Sequence, residues 1–232
     1  LIKDILSFFL GNFKKKNPLI CYNAINTQDS NDSFSEENMP KQLWKPGTMV
    51  YPAPAVMVSC GSMKNPNIIT VSWTGTVCTD PAMTYVSLRK TRYSHALISE
   101  SGTFVINLTT KSLARATDFC GVKSGRDIDK FSEMQLHAVP GPMTGVPMIE
   151  ESPLSIECEV TQVMPLGSHD MFLAKVLGIS IDERYLEPSG KFRLDLAEPI
   201  CYSHGTYFEL GEAIGGFGFS VKKATKKKRR KR

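Results

Sequence analysis

The sequence predicts a mainly β protein, a Greek-key barrel with short helices at its periphery. Three observations carry this. Runs rich in β-branched and aromatic residues recur along the chain between Gly, Pro, Asn and Asp turns. One of them, 154–163, alternates strictly: Leu154, Ile156, Cys158 and Val160 against Ser155, Glu157, Glu159 and Thr161, the pattern of a half-buried strand. The helical stretches between the runs are too short for the crossovers of a doubly wound sheet.

In chain order, 48–51 reads as β, Pro52-Ala53-Pro54 breaks it, and 55–62 resumes. Lys64-Asn65-Pro66-Asn67 is a turn by composition. The stretch 68–78 and the run 83–88 flank Thr79-Asp80-Pro81 and are expected to form a hairpin. A short helix follows at 94–101, with Ser94 as its expected N-cap. Residues 102–108 form a strand, 111–119 a short helix, 121–125 a loop, and 127–131 one helical turn. Pro140, Gly141, Pro142, Gly145 and Pro147 mark an irregular crossing. After 154–163, Pro165-Leu166-Gly167 reverses the chain into a strand over 170–181.

The organisation expected from composition is an extension over 1–42, a folded domain over 43–221, and a basic tail over 222–232. Residues 26–33 are rich in Asn, Asp and Ser, have little to bury, and are expected to be disordered. Met39 is the expected natural start, with the upstream residues an added extension. Nine of the 28 Lys and Arg residues lie in the tail; without them the chain, with its 23 acidic residues, is mildly acidic. The tail has no aromatic residue between its charges, so nucleic-acid binding is not expected. Six scattered cysteines without C-x-x-C or zinc spacing point to a reducing, cytoplasmic setting, and most of them, lying in apolar runs, read as small buried hydrophobes. No apolar run is long enough to span a membrane. The order of apolar and basic residues near the N-terminus is wrong for a secretory signal. The glycines at 211, 215, 216 and 218 lack the strand, turn and long helix of a dinucleotide loop.

The chemistry concentrates at the end of the second hairpin strand. Arg89, Lys90 and Arg92 sit beside Thr91 and Ser94 at a helix start. Guanidinium forks together with free helix N–H groups suit a phosphate-bearing cofactor; the competing reading is a solvated basic loop.

Over roughly 43–223 the sequence resembles the flavin reductase-like, FMN-binding split-barrel family, and within it the flavoredoxin branch. The matching residues are Pro52 to Ser59, Asn67 to Trp73, Asp80-Pro81, Val86-Ser87-Leu88-Arg89 with Tyr93-Ser94-His95, Phe104 to Asn107, Gly167-Ser168-His169-Asp170, and Tyr207 with Gly211 to Phe219. The resemblance implies a six-stranded split barrel, a homodimer, and FMN held near the dimer interface, with FAD as an alternative. It implies that Thr70, Val71, Ser72, Trp73 and Thr74 line the ring and ribityl chain. Ser87, Leu88, Arg89, Arg92 and Ser94 would hold the ribityl and phosphate. His169 is the implied catalytic residue, orienting a nicotinamide or passing a proton; the competing reading is a strand-edge histidine bonded to a carbonyl. Asn107 is either a strand-end turn residue or a flavin contact, and Trp73 either shields the ring or fills the barrel. His95 is expected to be structural or a peripheral phosphate contact, His204 to lie near the cofactor, and His137 to have no role.

The implied activity is hydride transfer from NAD(P)H to flavin and on to an acceptor the sequence does not name. The alternative is a flavoredoxin-type electron carrier reduced by a partner protein.

Overall fold

The computed structural model describes residues 41–221; the basic tail and all but the last two residues of the expected extension lie outside them. The chain divides after Gly47, and the unit Thr48–Arg232 carries every strand and helix among the described residues. Seven strands form its main sheet: β2 (Val56–Ser62), β3 (Asn65–Val71), β4 (Thr74–Thr79), β5 (Ala82–Arg89), β6 (Thr103–Leu108), β9 (Leu154–Pro165) and β10 (His169–Ile181). Their order is β3-β2-β6-β9-β10-β5-β4, and all pairings are antiparallel.

β3 and β4 are consecutive in the chain yet lie at opposite edges of this sheet. Only a sheet rolled on itself allows that, and the two residues Ser72 and Trp73 bridge the edges. A bond from Ser87 N to Trp73 O, 2.9 Å, ties the bridge to β5. The run 68–78 is therefore two strands and not one arm of a hairpin, because one segment cannot pair with β2 and with β5 at once. This also makes the count seven instead of six. Between β3 and β5 there is no ladder; the barrel is split there.

Side-chain alternation fills both faces of β2 and β3. Val56, Val58, Cys60, Ile69 and Val71 point into the barrel with Phe104, Ile106, Cys158 and Phe172. Met57 and Ile68 point outward against Leu113, Ala116, Cys120 and Phe131. Phe104 and Phe172 are fully buried, each contributing about 2 kcal/mol by area removed from water. The outer layer is α2 (Ala114–Val122) and the single turn α3 (Lys130–Glu133), capped by Asp129, whose carboxylate accepts from Phe131 N and Ser132 N. Helix α1 (Tyr93–Ser101) places Ile98 in the barrel core and ends at Gly102, where φ of +68° favours glycine.

Several expectations are corrected. Residues 48–51 have no strand partner; the first strand is the short β1 (Ala53–Pro54), paired with β11 (Ile200–Ser203), which turns into β12 (Thr206–Glu209). The crossing at 140–147 is a hairpin of β7 (Ala138–Pro140) and β8 (Pro147–Ile149). Its loop is fixed by the buried carboxylate of Glu157, which accepts from Met143 N, Thr144 N and Thr144 Oγ1. Ser94 is not the N-cap of α1. That position belongs to Arg92, and Ser94 is buried, accepting from Asn67 Nδ2 at 2.7 Å. A long-range bond to a buried amide has displaced the local cap.

Candidate functional site

Two adjoining chambers open along the split. The first, about 210 Å³, lies between the two unpaired sides: Ile69, Thr70, Val71, Ser72 and Trp73 from the end of β3, and Ser87, Leu88 and Arg89 from β5. His169 reaches it from β10 because its register partner is Arg89. Trp73, 39% exposed, stands outside the core with its ring 4.5 Å from that of His169. It lies in the bridge, not in a strand, so the barrel-filling reading does not apply. His169 Nδ1 pairs with Ser168 Oγ at 2.8 Å, leaving Nε2 unengaged. Burial and the neighbouring Arg89 guanidinium push the imidazole below its ordinary value of 6.5. This chamber offers an aromatic face, an imidazole and backbone groups freed by the break in pairing.

The second chamber, about 340 Å³, shares Ile69, Arg89 and Arg92 with the first. Its walls carry five cations, Arg89, Arg92, Lys123, Arg126 and Lys130, and no carboxylate. None of the five is in an ion pair among the described residues. Helix α1 points its first turn at this space without a side-chain cap, so its leading N–H groups are available to an anion. Lys130 is 4% exposed, and its ammonium donates to Ile68 O at 2.7 Å and Cys120 O at 2.8 Å. Burial foremost, and the nearby Arg92 charge, lower its pKa. A bound anion would act in the opposite sense, favouring the charged ammonium.

Two further features shape the chamber for a ligand. A Cβ on Gly125 would lie 1.9 Å from Asn67 Oδ1, so only glycine allows the loop to close over the amide. Asn67 Oδ1 itself is buried with no partner, an orphaned polar atom on the chamber wall.

The sequence-predicted residues divide accordingly. Thr70, Val71, Ser72, Trp73, Ser87, Leu88, Arg89, Arg92, Ser94 and His169 line one or both chambers. Thr74 and Asn107 do not. The Thr74 hydroxyl donates to Tyr85 O at 2.6 Å within the β4–β5 ladder. Asn107 is fully buried: Nδ2 donates to Met57 O and Ser59 Oγ, and Oδ1 accepts from Ile149 N and Ser155 Oγ. It is a core hub and not a turn residue, and it lines neither chamber.

His95 is structural, with Nε2 2.8 Å from Asp170 Oδ2. His204 lies at the β11–β12 turn against Tyr51 and lines neither chamber. His137 pairs with Glu151. Residues 123–126 and Lys130 were missed by sequence reasoning. Lys123-Ser124-Gly125-Arg126, small residues between basic ones, carried the same anion signal as Arg89 to Ser94.

Of the described cysteines, Cys60, Cys120 and Cys158 are buried as expected, whereas Cys78 and Cys201 are only partly buried. Desolvation raises Cys60 and Cys120 to about 11 and Cys158 to about 12. Among the described residues no cluster of His, Cys, Asp and Glu could hold a metal, and no helix is long and apolar enough to cross a membrane.

A split barrel with an anion chamber beside an aromatic one is matched by a family model described as the flavin reductase like domain, over residues 48–211. The chain belongs to the flavin reductase-like family. Among solved structures, the flavoredoxin of Desulfovibrio vulgaris (Miyazaki F) superposes with a TM-score of 0.73 at 28% identity, covering 79% of this chain and 100% of that one. An NADH-dependent FMN reductase of Streptomyces nodosus subsp. asukaensis is 29% identical over 159 residues, 68% of this chain and 79% of that protein. An NADPH-flavin oxidoreductase of Streptomyces viridifaciens is 31% identical over 110 residues, 47% of this chain and 56% of that protein.

The chambers of this flavin reductase-like chain fit FMN on their own chemistry. The cationic, glycine-closed chamber suits a terminal phosphate, and the Trp73–His169 chamber suits a planar ring.

Proposed function

We propose that this protein is an FMN-binding oxidoreductase of flavin reductase type, drawing hydride from NAD(P)H and passing electrons to an acceptor. The observation that carries the reading is the junction of the two chambers at Arg89 and Arg92, which joins a dianion site to an aromatic site. FMN, when bound, supplies the two-electron chemistry, which no side chain here provides.

The protein supplies position and polarity. Lys130, Arg92 and the first turn of α1 hold the phosphate, and Gly125 lets the loop close on it. Thr70 positions the ring side of the split by donating its hydroxyl to Thr117 O, which fastens the end of β3 to α2. Leu88, 2% exposed, and Val71, 5% exposed, keep the inner wall dry. His169, its Nδ1 paired with the Ser168 hydroxyl and its pKa lowered by burial and by Arg89, lines the ring chamber. There it orients a nicotinamide amide or holds a proton in transit.

A second reading, a flavoredoxin-type carrier reduced by a partner protein, draws on the full-length similarity to flavoredoxin. A homodimer is part of the proposal: Phe208, Leu210, Ile214 and Phe217 leave an exposed apolar stretch that a second copy would cover. Light scattering on the purified protein is expected to give twice the chain mass.

The deciding experiment follows the visible spectrum of the FMN-loaded protein under anaerobic conditions after addition of NADH and, separately, NADPH. Bleaching within seconds is the expected result. Flavin that stays oxidised with both donors replaces the reductase by the carrier, and protein that takes up neither FMN nor FAD refutes both.

A further inference from the structure

The anion chamber carries more positive charge than a flavin monophosphate uses. A phosphate monoester brings at most two negative charges, and Lys130, Arg92 and the start of α1 already answer them. Of the other three cations, Arg89 is shared with the ring chamber, which leaves Lys123 and Arg126. Both are exposed, both line only the anion chamber, and neither touches the ring chamber. Arg126 is also held in a particular way. Its guanidinium carbon lies 5.5 Å from the centre of the Tyr93 ring, and Nη1 donates to Thr91 O at 3.4 Å. The outer lip therefore presents a planar guanidinium–phenol pair beside a second free cation.

Planar stacking surface and monoester charge occur together on one sugar in an adenosine 2′-phosphate. A pyrophosphate does not match as well, because a ribose separates it from the base and its charge is spread over two diester groups. The adenylate half of FAD adds no terminal dianion and would leave the surplus charge unanswered. We infer that Lys123 and Arg126, with the Tyr93 ring, form a subsite for the 2′-phosphoadenosine end of the nicotinamide donor, so that this protein takes NADPH in preference to NADH. The inference rests on the flavin reductase reading and specifies its donor. Exposed guanidinium–phosphate pairs are worth little singly but gain from a bidentate fork and a fixed plane. The expected discrimination is accordingly modest, about tenfold, or about 1.4 kcal/mol.

The test is calorimetric titration of the FMN-loaded full chain with 2′,5′-ADP and with 5′-AMP at low ionic strength, a readout independent of turnover. The expected result is that 2′,5′-ADP binds about tenfold more tightly, that Arg126→Gln brings the ratio close to one, and that Arg126→Lys restores part of it. A merely structural role for Arg126 would weaken both ligands and leave the ratio unchanged. Lys123→Gln is expected to lower the ratio as well, and the flavin spectrum of each variant reports that it is folded.

Equal binding of the two ligands by the unaltered protein overturns the inference, as does a ratio that survives both substitutions. FAD binding more tightly than FMN, with the difference erased by Arg126→Gln, assigns the lip to the flavin's own adenylate and overturns it too. A chain that takes up no FMN fails at the loading step, which refutes the flavin reading and this inference with it. The other refutations leave that reading standing.

Discussion

Replacing Gly125 by alanine tests whether the anion chamber depends on close approach of its loop. The added Cβ would lie 1.9 Å from Asn67 Oδ1, 2.8 Å from Asn67 Cγ and 3.3 Å from Tyr93 Cδ1, where ordinary contact begins at 3.4 Å. The shortfall against the amide oxygen is about 1.5 Å. Asn67 cannot yield it, being 4% exposed and tied through Nδ2 to Ser94 at 2.7 Å. Swinging the amide away would break that bond and leave two buried groups unmatched, at about 1–3 kcal/mol. The loop must move outward instead, carrying the chamber wall with it. Loosening one charge-assisted phosphate contact by this amount is expected to weaken FMN by about 2 kcal/mol, roughly thirtyfold, and overpacking lowers stability by about 1–3 kcal/mol. Titration of the apoprotein into FMN, followed by quenching of flavin fluorescence, reads the first, and thermal unfolding the second. Gly102→Ala is the control: its added methyl meets nothing within 4 Å, but φ is +68°, so it should lose about 1 kcal/mol of stability and no FMN affinity. Gly125→Ala binding FMN like the unaltered protein, or both variants losing affinity equally, would refute the reasoning.

Asn107→Ala removes both ends of a fully satisfied buried amide and leaves Ile149 N without its acceptor; a loss of about 3 kcal/mol in urea unfolding is expected, with FMN affinity of the folded protein unchanged. Trp73→Ala takes away an exposed ring and its contact with His169, so unfolding should shift by less than about 1 kcal/mol while FMN affinity falls roughly tenfold, both read by the same two assays. His169, with its folded pKa below the unfolded 6.5, contributes stability that is fully present above pH 6.5 and lost as pH falls through the folded value. His169→Gln should flatten that limb of the stability–pH curve, and Arg89→Gln should move the His169 titration, followed by NMR, back toward 6.5.

What sequence could reveal here depended on how local the determining interaction was. The strand over 154–163 was legible because alternation is a property of adjacent residues; it starts at Leu154 as expected and continues two residues further, to Pro165. The helix at α1 was legible, but its cap was not: Ser94 has the right chemistry, and only the arrival of Asn67 from β3, 27 positions away, diverts it. The resemblance implied a split barrel, but the position of the split left no mark in the local residue pattern. Residues 68–78 are uniformly β-prone, and the break at Ser72 and Trp73 is imposed by which strands the two halves reach. The surroundings of Asn107 were not legible for the related reason that four of its five partners come from β2, β8 and β9, with Val105 O alone close in sequence. The basic loop 123–126 could have been read, since its composition repeats the signal accepted at 89–94.

The split and the positive charge act together. A closed ladder between β3 and β5 would have paired the backbone of Thr70 to Trp73 with that of Ser87 to Arg89, leaving no room between them. The step at Ser72 and Trp73 prevents this, so the two sides of the gap become the walls of the ring chamber, and the strand that pairs with β5 brings His169 to its mouth. The neighbouring chamber gathers five cations that have no ion pair among the described residues, and burial foremost, with the Arg92 charge after it, lowers the pKa of Lys130 among them. A fold that bound nothing would gain from closing the gap and from placing carboxylates among those cations. That it does neither is the physical argument that an anionic, planar ligand completes the barrel.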